Sequence, residues 1–315
     1  MNPRTLVMTP VYCTSENKRL PLLLQCIYWV QQQTDKNFMH VIIDDGSTDE
    51  TPELLDRLTA QIPRLEVYHR ANGGSSSAVN FGVEESLKKY NSEFVTVTHS
   101  DDILPPKSLE MRVDISQYRG SKMVYTDMIL LNERIDDAFL LSSPKLHNNH
   151  ELYGYLLSNR GIPYPTLLWD RDFFIDKLQG YDSTINSAED WDIALRSARE
   201  LEQSGETFFQ ISDISAVNRQ HDHNLWIENV RNGNRWKCYQ MILAKHLRGW
   251  AYRSNLARSS LQILRGVLPE QMKAPLRVVK RSLFPSRHRT LKSEDRDFLK
   301  ELYSVDYQSY FTSFN

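Results

Sequence analysis

Cysteine is scarce in this chain of 315 residues: Cys13, Cys26 and Cys238 are the only three, and they form neither a disulfide framework nor a metal-ligand spacing. That excludes a small stapled scaffold and a thiolate zinc site, and it makes a reducing cytoplasm the expected home. Long apolar runs are missing as well. The best candidate, Leu20 to Val30, is interrupted by Gln25 and falls short of the ~20 residues that a spanning helix needs. Met1-Asn2-Pro3-Arg4 leads directly into a strand-like segment, without a secretory signal pattern. No internal repeat or low-complexity tract is visible. Charge of either sign is not in excess, the formal net charge being −2. What remains is an ordinary globular composition, 40% hydrophobic and 25% charged, with enough chain for one large core or two modest ones.

The near-zero net charge hides an asymmetry. Residues 245–292 hold twelve Lys and Arg against a single acid, Glu270, whereas residues 1–244 carry an acidic excess. Apolar positions Leu256, Leu261, Leu264 and Leu268 share a helical face with Arg258 and Arg265 close by, and Leu276–Phe284 carries Arg277, Lys280 and Arg281. A basic amphipathic helix reads as a membrane-surface element, and equally as a helical extension packed on the main body. Nucleic acid is excluded as a partner, because aromatics are scarce between Lys273 and Lys292 and no nucleic-acid motif occurs. The final stretch, Leu291–Asn315, turns acidic and then aromatic, which predicts that it folds back on the body or meets another subunit.

The first half alternates strand and helix patterns. Thr5–Thr9, Met39–Ile43, Leu65–His69 and Phe94–Thr98 read as strands, and Leu20–Gln33, Thr51–Gln61 and Ser77–Lys89 as the intervening helices. This alternation predicts βαβ units and a mostly parallel, twisted α/β sheet, with ligands beyond the carboxyl ends of the strands. The second half is less regular. Strands are expected at Met123–Leu131, Tyr164–Trp169 and Phe208–Ile211, helices at Arg171–Leu178 and Ala188–Ser204, and helical structure from Trp226 onward.

Two strands run into carboxylate pairs. Phe94–Thr98 is followed by His99-Ser100-Asp101-Asp102, and His40–Ile43 by Asp44-Asp45-Gly46-Ser47. Adjacent acids repel, so a strand end that keeps them usually supplies a cation; hard oxygen ligands suit Mg2+ or Mn2+ against a phosphate. Each pair alone is equally compatible with a solvated turn opening the next helix. Thr48 and Asp49 are read as helix-capping residues, and Asp45 is able to accept the N3–H of a uracil.

Together, Thr9-Pro10-Val11-Tyr12, Ile43-Asp44-Asp45-Gly46-Ser47-Thr48-Asp49, Asn72-Gly73-Gly74 with Ala78-Val79-Asn80, and Ser100-Asp101-Asp102 resemble the family 2 glycosyltransferases in order and spacing. The similarity continues through Pro163–Trp169, Leu178-Gln179-Gly180-Tyr181-Asp182 and Ser187-Ala188-Glu189-Asp190-Trp191-Asp192, and covers roughly residues 3–225. What the resemblance implies is a GT-A fold over residues 1–225, with a nucleotide-binding half at 1–112, an acceptor half at 113–225, and a helical basic extension at 226–315. It implies an inverting, metal-assisted transfer from a UDP-sugar to a glycan or lipid-linked acceptor at the inner face of a membrane. Pro10, Val11 and Tyr12 would line the nucleoside pocket, with Asp45 reading the base and Asn80 in the donor-binding set. Asp101 would lie near the ribose or donor sugar, and Asp102 would hold Mn2+ or Mg2+. Asp190 matches the family's general base and Glu189 its acceptor-orienting acid. His221 falls where relatives place a histidine that closes over the diphosphate or completes the metal shell.

The chain departs from the family at two positions. His99 stands where an acid is common, and Val79 where an arginine often neutralises phosphate, leaving Arg70 or Lys88 as candidate substitutes. These departures keep a degenerate nucleotide- or glycan-binding module in view. A sugar nucleotidyltransferase would need a glycine-rich N-terminal loop, and Thr9–Ser15 contains no glycine.

Overall fold

The computed structural model describes residues 2–133, 137–158, 161–221, 229–230, 232–249, 252, 254–256 and 288–312. Most of the basic segment 245–292, including Leu261, Leu264, Leu268 and the Leu276–Phe284 stretch, lies outside the described residues, as does His223.

The first half is a run of βαβ units. β1 (Thr5–Val11), β2 (Phe38–Asp44), β3 (Leu65–His69) and β4 (Phe94–Val97) alternate with α1 (Leu20–Gln31), α2 (Thr51–Thr59) and α3 (Ser75–Leu87). All seven residues of β1 are buried, and Val41, Ile42 and Ile43 of β2 have no exposure. Helices cover both faces of the sheet here, so these strands read as continuous apolar runs rather than alternating ones. β2 and β4 flank β1 in parallel, and β3 extends the sheet beyond β2. Chain order therefore reverses at β1 and β4, which opens a crevice at their carboxyl ends.

Beyond β4 the sheet is mixed. After α4 (Ser108–Arg119) come β5 (Met123–Asn132), β6 (Asp137–Leu141), α5 (Asn149–Leu157), β7 (Leu168–Asp170), α6 (Glu189–Ser204) and β8 (Phe208–Gln220). β7 joins β4 to β5 through antiparallel pairings, while β8 runs parallel to β5 with register shifts around Asp127. α7 (Asn234–His246), β9 (His288–Thr290), α8 (Ser293–Ser304) and α9 (Tyr307–Thr312) complete the described chain. β9 adds antiparallel to β6, so the C-terminal stretch contributes a strand as well as helices.

Three expectations change in detail. Tyr164–Thr166 is a 3-10 turn, because Pro165 sits inside it, and only Leu168–Asp170 is strand. Residues 173–177 wind as a single π-type turn rather than an α-helix. The strand expected to stop at Ile211 continues to Gln220.

Two buried polar side chains brace the loop that leaves β4. Gln33 Nε2 donates to the Leu104 and Pro105 carbonyls at 2.9 Å each, and its Oε1 accepts the Leu109 N–H at 2.9 Å. Arg112, fully buried, donates to Thr96 Oγ1, the Thr166 carbonyl and the Ser108 carbonyl and hydroxyl. It ties β4, α4 and the 3-10 turn together without a carboxylate among these partners, and burial lowers its pKa to about 9.

Candidate active site

The turn after β4 is the centre of the site. The Asp102 N–H closes it on the His99 carbonyl at 3.0 Å, and Ile103 then bridges to Val217 of β8. That bridge carries Asn218 and Arg219 to the acids. Asp102 Oδ1 accepts the Asn218 side-chain amide at 3.0 Å and the Arg219 N–H at 3.2 Å. Asp102 Oδ2 is buried and has no hydrogen-bond partner. Burial first, then the charge of Asp101, pushes the Asp102 carboxyl up to about 7.

Asp101 has the opposite bias. Burial alone would raise its pKa, but His221 Nε2 at 3.0 Å, the Arg19 guanidinium at 3.6 Å and the nearby His99 hold it below the usual carboxylate range. One carboxylate of the pair is therefore held ionised while its neighbour sits near neutrality, as expected when like charges are forced together.

Asp190 reaches the crevice from the first turn of α6. That helix begins after Ala188, whose φ of 65° is left-handed, a conformation that costs a residue with a Cβ about 1–2 kcal/mol. Packing supports the start. Trp191 Nε1 donates to the Leu156 carbonyl at 3.0 Å, and buried Asp192 pairs with Arg196 at 2.8 Å and Lys245 at 2.7 Å. Asp192 is thus occupied by two cations as well as lying in the helix's first turn. Glu189 has its pKa raised, by burial and then by Asp190.

His99 stands between the two acid groups. Its Nδ1 is 3.8 Å from Asp102 Oδ2, and its Nε2 is 3.9 Å from Asp190 Oδ2. Burial works against its protonation, but Asp190, Asp102, Asp101 and Glu189 together hold its pKa up to about 9.

Asp45 occupies the end of β2. Its carboxylate accepts the Gly73 N–H at 3.0 Å and the Gly74 N–H at 2.7 Å, and Arg70 Nε lies 3.2 Å away. Gly74 has a φ of +86°, a backbone state that suits glycine and lets both amides face the acid. Tyr12 is half-buried at the neighbouring strand end.

The structure thus brings Asp101, Asp102, Asp190, Glu189 and His221 together, with Asp45 on the adjoining strand end. Val11 and Asn80 are both engaged within the protein itself. Val11 packs into the core with Leu23, Ile42 and Leu55, and its carbonyl accepts the Asp45 N–H; buried Pro10 precedes it within β1. Val11 therefore supports Asp45 from the core side. The Asn80 side chain is used at both ends by the Tyr181 main chain, at 2.7 and 2.8 Å. It locks α3 to the turn before α6.

His99, Asp101 and Asp102 each offer a ligand atom within 4.8 Å of one another, whereas His221 Nε2 is directed at Asp101. Arg70 is committed to Asp45 and the Ser77 carbonyl, and Lys88 pairs with exposed Glu84 and half-buried Glu85. The cation beside Asp101 is Arg19. Neither it nor Arg219, which donates to the Asp101 carbonyl and to Gln25, stands out by pattern. Arg19 is marked only as a charge directly before the mostly apolar α1, and Arg219 lies among the polar residues of β8.

The sequence profile of Glycosyl transferase family 2 matches residues 7–153. These residues, just under half of the chain, are similar to glycosyl transferase family 2. Glycosyltransferase GlyG of Streptococcus pneumoniae serotype 4 is 32% identical over 119 residues, which cover 38% of this chain and 36% of that protein. The chain thus spans about a third of that relative's length. Among solved structures, residues 1–349 of S. aureus TarS in complex with UDP-GlcNAc superpose with a TM-score of 0.57 at 15% identity, covering 84% of this chain and 72% of that one. Mannosyltransferase PcManGT of Pyrobaculum calidifontis, in complex with GDP-Man and Mn2+, gives a TM-score of 0.51 at 17% identity over 96% and 85% of the two chains. The fold of this chain is therefore GT-A. No helix among the described residues is long and apolar enough to cross a membrane.

Proposed function

We propose that this protein is a family 2, inverting glycosyltransferase that moves a sugar from a UDP-sugar to an acceptor hydroxyl. One observation carries the reading: Asp190, part-exposed in the crevice, faces the buried Asp101-Asp102 pair across His99. An inverting displacement needs such an arrangement, with leaving-group stabilisation on one side of the reacting carbon and a base on the other.

Asp190 Oδ takes the proton of the acceptor hydroxyl as the acceptor oxygen bonds to the anomeric carbon. The bond from that carbon to the diphosphate oxygen breaks on the opposite face, and the nucleoside diphosphate departs. Asp45 accepts the base N3–H, held in place by the Gly73 and Gly74 amides. Asp101 lies beside the ribose or donor sugar, and Glu189 orients the acceptor. The unpartnered, buried Asp102 Oδ2 fits a divalent cation, and the hard donors of the pair fit Mn2+ or Mg2+. A bound cation there supplies neutralisation of the charge that develops on the departing diphosphate. The acceptor we propose is a glycan or lipid-linked glycan at the cytoplasmic face of a membrane, with residues 245–292 as the peripheral contact.

Proton NMR of the product tests the mechanism. An α-linked UDP-sugar panel, supplied with Mn2+, is expected to give a β-linked product. An α-linked product would overturn the single-displacement reading. UDP binding without turnover of any donor would favour a degenerate binding module.

A further inference from the structure

His99 replaces an expected acid, and the structure surrounds it in a specific way. Asp102 Oδ1 is satisfied by Asn218 and the Arg219 N–H, whereas Asp102 Oδ2 is fully buried without a hydrogen bond. A buried polar atom left without a partner is costly, so its persistence at a strand end points to a ligand rather than to a missing protein donor. Asp101 meets His221 and Arg19. His99 Nδ1 and Asp102 Oδ2, 3.8 Å apart, are left as the pair with ligand capacity to spare.

We infer that His99 is itself a ligand of the divalent cation, through Nδ1 beside Asp102 Oδ2, and that its Nε2–H is directed at Asp190. The inference rests on the transferase reading, from which it takes the cation and the role of Asp190. A metal-bound imidazole commonly donates its second N–H to a carboxylate, which fixes its tautomer and ring plane. The carboxylate 3.9 Å from His99 Nε2 is Asp190. One side chain thus joins the donor-side cation to the acceptor-side base, so His99 positions Asp190 as well as binding metal.

The substitution also sets metal preference. Mg2+ favours all-oxygen, octahedral surroundings and sheds water reluctantly. A nitrogen donor suits Mn2+ and later transition metals better. Exchanging an acid for His99 therefore biases the site toward Mn2+.

The test is electron spin-echo envelope modulation on the full chain loaded with Mn2+ and UDP, with calorimetric titration of Mn2+ and Mg2+ alongside. Wild-type protein is expected to show directly coordinated nitrogen, and labelling with 15N-histidine should change its modulation pattern. The signal should persist in His221→Gln and vanish in His99→Asp and His99→Gln. His99→Asp should also lower the Mn2+ over Mg2+ preference. The inference is overturned if no histidine nitrogen is coordinated, if the signal survives both His99 substitutions, or if it depends on His221. Neither measurement needs turnover. Loss of the nitrogen signal in an active enzyme would refute only the His99 ligand, whereas an enzyme inactive with every donor would refute the transferase reading.

Discussion

Undocking the C-terminal helix should weaken the donor site. Leu291, just before α8, and Leu299 and Leu302 within it bury against Trp29 of α1 and against Ile103 and Val217. Ile103 follows Asp102 directly, and Val217 precedes Asn218 and Arg219, the two residues that hold Asp102 Oδ1. The apolar patch under α8 is thus the back of the acid pair. Leu299 and Leu302 are 8% and 5% exposed, so each truncation to alanine belongs at the lower end of the buried-leucine range, about 2–3 kcal/mol. The two lie three residues apart on one helix and share a cluster, so their costs will not simply add. A combined loss of about 4 kcal/mol would shift a docked helix by nearly three powers of ten in its local equilibrium. We predict that Leu299→Ala/Leu302→Ala lowers the affinity for UDP with Mn2+ at least tenfold by calorimetry. The α1–β4 core should stay folded, as judged by near-UV circular dichroism. Unchanged UDP and Mn2+ affinity in a variant whose α8 amides have lost hydrogen-exchange protection would refute the brace.

Other outcomes follow from single residues. His69 bridges Asp44 at 2.8 Å and Asp56 at 3.1 Å; burial opposes its charge, but these two acids raise its pKa. Its stabilising contribution should be full below the unfolded histidine pKa and decline as pH rises through the raised folded value. Urea unfolding of His69→Gln should lose that alkaline decline, and an unaltered pH profile would contradict it. Asp192→Asn should cost about 1.5–3 kcal/mol, because it weakens charge-assisted bonds to Arg196 and Lys245; a shift below 0.5 kcal/mol would show that the pair contributes little. Asp45→Ala removes the acceptor for both the Gly73 and Gly74 amides. It should raise the donor KM at least tenfold with a smaller effect on kcat, and an unchanged KM would remove Asp45 from base recognition.

How much of this was legible in sequence depends on where the forces act. The four parallel strands declared themselves, because β1 and β2 are buried on both faces and so run mostly apolar, with Thr9 and His40 as interior exceptions. Asp45, Asp101, Asp102 and Asp190 were legible because a topological crevice makes strand-end and helix-start acids conspicuous. The second half was harder. β8 carries Ser212, Asp213 and Ser215 across a bulged register, so its pattern breaks before the strand does. β6 is part-exposed, and both it and α5 went unread. Arg19 and Arg219 are charges that only three-dimensional packing explains, since their partners lie far along the chain. Val11 and Asn80 show the converse: their motif positions match the family, while their side chains serve the core and the α3–Tyr181 lock.

The central claim is that Asp190 is the base set opposite the Asp101-Asp102 pair. Its most direct test is the kcat for UDP release by Asp190→Asn, measured together with UDP affinity. The account predicts a fall in kcat of about 100- to 10,000-fold, with UDP binding within twofold of wild type. Turnover retained at the wild-type rate would contradict it.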